Sequence, residues 1–272
     1  MEYAHLEWIR TPKEELKITP IYRNSELLEA IGAQAGSRPS LPDAAEFYTT
    51  PVVFPAAGAD RPYLISSIVL SADGKMAFMD NRMGPLIAKC NGLDPAGGAA
   101  DFWCLNMLRA NSDGLLIGAN TLRNEPVYIN SCMERDLLAQ RAAVLGKPDQ
   151  PCQIVVSLDA ADIPFEHKTF RVDPAERMKV AVATSPAGLR QIREHSPLRH
   201  VAVGPFTSRE EVDAAEFPAL DAEFDAVPVI VTGSGARPDM GLMLYVLRRM
   251  GMEVVSAESP GYCGALLANG YL

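Results

Sequence analysis

The chain predicts an α/β fold with a mostly parallel central sheet and helices on both faces. From about residue 150 onward, short apolar runs alternate with helical segments of roughly ten residues, the rhythm of strand–helix units. Several runs, such as Val227–Thr232, are apolar without interruption by charge, as in strands buried on both faces. The 272 residues are 48% hydrophobic and 22% charged, enough apolar material for a sizeable core and too much for wholesale disorder.

The first sixty residues stand apart. Prolines at 12, 20, 39, 42, 51, 55 and 62 leave room for one helix, Ser25–Ala33, with Ser25 in N-cap position. Residues 1–58 are therefore read as an N-terminal extension packing on a body of residues 59–272, since a segment this short holds little core alone. The body opens with the β-branched run Arg61–Leu70, a strand, and Asp73-Gly74 marks a tight turn after it. A helix over Ala99–Ala110 precedes the strand Gly114–Ile117. A helix over Glu134–Val144 precedes the strand Gln153–Ser157. The strand Lys179–Ala183 runs into Thr184-Ser185-Pro186, an N-cap signature with proline at the first helical position. Then come strand His200–Val203, helix Ser208–Leu220, strand Val227–Thr232, helix Met240–Met250, strand Glu253–Ala257 and helix Gly261–Asn269. Ligands of such sheets bind beyond the carboxyl ends of the strands, so the informative residues are those that follow them.

A formal net charge of −9 argues against nucleic acid and anionic membranes as partners, while leaving room for a local phosphate pocket. The five cysteines are dispersed, without a C-x-x-C pair, as in reduced cytosolic thiols. The N-terminus has no signal-peptide run, and no stretch approaches the ~20 apolar residues of a membrane span. A cytoplasmic protein is expected. His5-Leu6-Glu7 has the spacing of a zinc deaminase, but Pro151-Cys152 lacks the second thiolate that pattern needs. The other histidines have no ligand spacing, and no metal is expected. Gly233-Ser234-Gly235 fails the dinucleotide fingerprint because Pro238 stands at the third glycine position, which leaves a turn needing positive φ. Phe102 and Trp103 beside Leu105 and Leu108 read as a helix core face.

Three segments carry the chemical signal. They are Arg61-Pro62-Tyr63 through Ser71-Ala72-Asp73-Gly74-Lys75, then Leu108-Arg109-Ala110 through Gly118-Ala119-Asn120-Thr121 to Glu125-Pro126, and finally Glu258-Ser259-Pro260-Gly261 before Ala265-Leu266-Leu267. In order and spacing they resemble the pyrimidine reductase domain of riboflavin biosynthesis, over roughly residues 61–272. The resemblance implies a dihydrofolate-reductase-like fold, a homodimer, and NADPH-dependent reduction at ribose C1′ of a phosphorylated aminopyrimidine. By the same resemblance, Gly118, Thr121, Ser157, Thr184, Ser259 and Gly261 are expected at the cofactor. Ser71, Asp73, Arg109 and Glu258 are expected at the substrate. Glu125, where the family usually carries aspartate, is expected to be catalytic. The residues agree with this. A glycine after a strand lets a ligand approach the backbone, and a helix N-terminus offers unpaired N–H groups to phosphate. For Arg109, a cation complementing its helix C-terminus is an equal alternative. Ser67 and Ser131 stand where bifunctional members carry lysine and arginine, and the family's closing strands have no counterpart before Leu272. Two alternatives stay open: a related oxidoreductase for another pterin or small carbonyl compound, and a non-catalytic nucleotide-binding protein of the same fold.

Overall fold

The computed structural model describes residues 3, 6–12, 18–170, 178–218, 220 and 226–272. Among the described residues seven strands form one sheet: β1 Tyr63–Ser66, β2 Gly114–Gly118, β3 Cys152–Val156, β4 Val180–Thr184, β5 His200–Phe206, β6 Val227–Thr232 and β7 Val254–Ala257. Their order is β1-β7-β2-β3-β4-β6-β5, and every pairing is parallel. The helices are α1 Ser25–Gly32, α2 Pro42–Phe47, α3 Leu86–Lys89, α4 Pro95–Asn111, α5 Ala119–Asn124, α6 Arg135–Leu145, α7 Pro186–His195, α8 Arg209–Asp213, α9 Met240–Arg249 and α10 Pro260–Ala268.

Uninterrupted apolar strands make this sheet because successive side chains point to opposite faces and both faces are covered. Leu115, Ile117, Val155, Val182, Val229 and Val231 pack in one cluster. Leu116, Ile154, Ala181, Ile230 and Val255 pack in the other, against Leu244, Val246 and Leu247 of α9.

Helix starts follow their capping residues. Ser185 accepts from Gly188 N–H at 3.2 Å with Pro186 at the first turn of α7, as the sequence predicts. Asp94 and Asp239 do the same for α4 and α9.

Several boundaries differ from expectation. The cap of α1 is Asn24, whose side chain accepts from Leu27 N–H, rather than Ser25. β1 ends at Ser66 rather than Leu70, because its single neighbour β7 ends opposite it at Ala257. α8 stops at Asp213, well before Leu220. Pro218 opposes continuation there by removing a donor and restricting Phe217. Residue 219 of the expected helix lies outside the described residues, as does His5 of the H-x-E motif. α2, α3 and α5, with 6, 4 and 6 residues, are too short to declare a period. The turn at Gly233 does take positive φ, +81°.

The extension lies on the body. Leu41, Ala44 and Phe47 pack on Trp103, Met107, Ala110 and Leu137, with the Phe47 and Trp103 rings 4.2 Å apart. Buried Arg38 donates to the Asn111 carbonyl and to the carboxylates of Asp113 and Glu253. Asp113 also accepts from Lys147 at 2.6 Å and from the Glu253 N–H at 2.7 Å, tying extension, α6–β3 loop and β7 together at the amino edge of the sheet. Burial works against charge on Asp113, yet Arg38 and Lys147 overcome it and hold the carboxyl below its ordinary range. A carboxyl depressed in the fold stabilises above its unfolded pKa, and that contribution is lost as pH falls through the folded value. Arg38→Ala should therefore cost about 3–5 kcal/mol at neutral pH, the scale of a broken buried pair. It should cost progressively less in acid; parallel urea titrations at neutral and acid pH measure both.

Candidate functional site

Because β7 inserts between β1 and β2, the segments leaving β2 and β7 emerge side by side at the carboxyl edge. There they open a cavity of about 1060 Å³. Its volume is at the upper end for small-molecule sites, room for more than one ligand. The lining comes from four strand ends: Ser67–Val69 after β1, Gly118–Thr121 after β2, Ser157 and Leu158 after β3, and Glu258–Gly261 after β7. The inner face of α4 and the loops carrying Arg82 and Arg237 complete it.

The β2 and β7 junctions are joined directly. Gly118 N–H donates to Ser259 Oγ at 2.5 Å, and Thr121 Oγ1 lies 2.9 Å from the same hydroxyl. A Cβ on Gly118 would come within 3.1 Å of Ser259 Oγ, so a larger residue there would push Ser259 by a few tenths of an ångström. Ser259 is thus turned toward β2 and does not cap α10. The N–H groups of Gly261 and Tyr262 in its first turn, where the helix dipole is positive, remain available to an anion. A Cβ on Gly261 would meet nothing within 4 Å.

Arg109, at the end of α4, is 2% exposed. Its Nε lies 3.0 and 3.1 Å from the two Glu258 carboxylate oxygens, and its Nη2 lies 2.6 Å from Oε2. Its Nη1 donates to the Tyr128 hydroxyl and to the Ser131 carbonyl, each at 2.9 Å. Two residues expected at the substrate are therefore partners of each other. Burial opposes the charge of Arg109, but Glu258 at contact distance outweighs it and the guanidinium stays protonated. Asn130 donates weakly to Glu258 at 3.4 Å, and its Oδ1 is buried with no partner among the described residues.

Glu125 is 6% exposed and accepts from Gly84 N–H at 3.1 Å. Burial raises its pKa, against the pull of Gly84 and Arg109. Its backbone is held from behind: buried His167 has Nε2 3.0 Å from the Glu125 carbonyl, while Nδ1 accepts from Thr169 N–H at 3.1 Å. That acceptor places the ring proton on Nε2. Burial lowers the His167 pKa, which keeps the ring neutral.

The remaining expected residues are placed differently. Ser157 lines the cavity, but its hydroxyl donates to Asp162 at 2.5 Å. Ser71 and Asp73 sit in an exposed turn outside the cavity lining, bonded to each other and to Lys75 at 2.5 Å. Thr184 is buried beside Gly188, bonded to the Leu158 carbonyl, and is also outside the lining. Tyr128, Asn130, His167 and the rim cations Arg82 and Arg237 were not singled out by sequence. No motif marks them; the fold brings Tyr128, Asn130 and His167 to Arg109, Glu258 and Glu125, and Arg82 and Arg237 to the same cavity.

No protein-family model and no curated protein matches this chain. Among solved structures, a pyrimidine reductase-like protein from Corynebacterium diphtheriae is similar. The TM-score is 0.50 and the identity 19%, over 78% of this chain and 72% of that one. At that identity the likeness shows the fold, which is the expected α/β class of dihydrofolate-reductase type.

The Arg109–Glu258 pair should behave as a buried unit. Glu258→Leu alone leaves an unpaired buried guanidinium and should cost about 3–5 kcal/mol. The double substitution Arg109→Met, Glu258→Leu should cost less than the sum of the singles by more than about 1 kcal/mol. Chemical denaturation of the four proteins in the cycle measures that coupling.

Proposed function

We propose that the protein is an NADPH-dependent reductase that delivers hydride to ribose C1′ of a phosphorylated ribosylaminopyrimidine. One observation carries this reading. A single cavity brings together an anion-ready helix N-terminus, the glycine–serine junction of β2 and β7, and a buried carboxyl, Glu125, with its pKa raised.

The fit to a dinucleotide rests on these residues. The Gly261 and Tyr262 N–H groups and the Thr121 hydroxyl suit a pyrophosphate. Arg82 and Arg237 on the rim supply positive charge in a chain of net charge −9, at the place where phosphates would sit. Ser157 and Asp162 would face the adenosine end. When bound, the cofactor supplies the hydride. No protein residue here can do so.

The substrate must first open its sugar. Opening moves a proton from the exocyclic N–H to the ring oxygen, with no net uptake. Glu125 has the character for that transfer. Burial favours its protonated form, and His167 and Gly84 hold it in place. With Ser67 and Ser131 uncharged, the substrate phosphate falls to the rim arginines.

Two outcomes follow. Gly261→Leu should leave the fold intact, since its side chain points into open space, and weaken NADPH binding about tenfold or more, ~1.4 kcal/mol. Fluorescence titration with NADPH and NADH reads this, and equal affinity for the two nucleotides would count against the 2′-phosphate preference. Glu125→Gln should reduce turnover with the aminopyrimidine ribosyl phosphate by roughly 10²-fold or more while NADPH affinity holds. Near-normal turnover at saturating substrate would remove Glu125 from the chemistry.

A further inference from the structure

We infer that Tyr128 is a catalytic residue of this site: its phenolic hydroxyl donates the proton that the substrate takes up on reduction. The inference rests on the reductase reading above and adds a group which that reading does not use.

The argument begins with hydrogen-bond counting. A tyrosine hydroxyl has one proton to donate and accepts through its oxygen. Here the oxygen accepts from Arg109 Nη1 at 2.9 Å. A guanidinium has no acceptor, so the phenolic proton cannot go back to Arg109. Among the described residues the hydroxyl makes no other hydrogen bond. Tyr128 lines the cavity beside Glu125 and Glu258, so an occupant of the cavity is the natural acceptor. The orientation is constrained as well. Arg109 is locked by Glu258 and the Ser131 carbonyl, and its guanidinium carbon lies 5.6 Å from the Tyr128 ring centroid. Burial, helped by the nearby carboxylates, keeps the phenol protonated against the pull of Arg109.

The chemistry balances. In the opened substrate, hydride adds to the carbon of the C=N bond and the π pair moves onto nitrogen. The Tyr128 O–H bond breaks, its proton goes to that nitrogen, and the electron pair stays on the phenolate. The substrate gains two electrons and the nicotinamide loses them. The Arg109 N–H that already points at the oxygen stabilises the phenolate, and solvent returns the proton. Glu125 does not supply this proton, because the opening step returns the one it moves.

Tyr128→Phe keeps the ring over Arg109 and removes only the hydroxyl. Turnover with NADPH and the aminopyrimidine ribosyl phosphate should fall by roughly 10²-fold. NADPH affinity should stay at the wild-type value, while the melting temperature should fall by a few degrees, because one buried Arg109 N–H loses its acceptor. Cofactor-free protein should bind the same substrate roughly 2- to 10-fold more weakly, the scale of one hydrogen bond. Site-specific 3-fluorotyrosine at 128 keeps the shape and acidifies the phenol. A proton donor then changes kcat and its solvent isotope effect, and a purely structural tyrosine changes neither. Should Tyr128→Phe fail to fold, the fluorinated protein decides. Wild-type kcat and substrate affinity in Tyr128→Phe, or an unaltered kcat and isotope effect in the fluorinated protein, would overturn the role of Tyr128 alone. A wild-type protein that binds NADPH but never oxidises it with this substrate would overturn the reductase reading beneath it.

Discussion

The buried ion pair between Arg109 and Glu258 is the contact on which the site depends. It joins the last turn of α4 to the residue that leaves β7, and through Nη1 it also holds Tyr128 and the Ser131 carbonyl. Desolvating a guanidinium costs several kcal/mol, and only good geometry on several donors offsets that. Here four of its five N–H donors are directed at partners within about 3 Å. The alternative seen in the sequence, a cation serving its own helix C-terminus, describes where Arg109 sits but not what it bonds. Its neighbours are separated from it by up to 149 residues. Spacing along the chain carries no trace of that.

Strand order explains which expected residues meet. Element types were readable because both-face burial writes itself as uninterrupted apolar runs. Val227–Thr232 is recovered to the residue, and Ser185-Pro186 starts α7 as expected. The insertion of β7 between β1 and β2 is not written in any local pattern. It is what brings Gly118 and Thr121 onto Ser259. Ser71 and Asp73 are next to the right strand in sequence, but β1 stops at Ser66, and they close their own turn with Lys75 away from the cavity. Thr184 follows a strand as well, but its hydroxyl is spent on the Leu158 carbonyl. Following a strand is thus necessary for a place at the carboxyl edge, and the neighbouring strand decides whether the side chain reaches the cavity.

Charge within the site follows from burial more than from composition. The chain carries a net charge of −9, yet the residues lining this cavity include a buried ion pair and the exposed arginines Arg82 and Arg237. Around that pair, burial pushes Glu125 and Tyr128 toward their protonated forms and His167 toward its neutral form. Each shift has the same leading cause and favours the uncharged species. Four of the residues lining the cavity are carboxylic acids, Asp101, Glu125, Asp162 and Glu258, and Glu258 is paired with Arg109. Two charged carboxylates side by side in one cavity would repel each other, and burial that favours protonated Glu125 beside the paired Glu258 avoids this. The fold meets this demand by burying Glu125 and Tyr128 beside a guanidinium that Glu258 already neutralises.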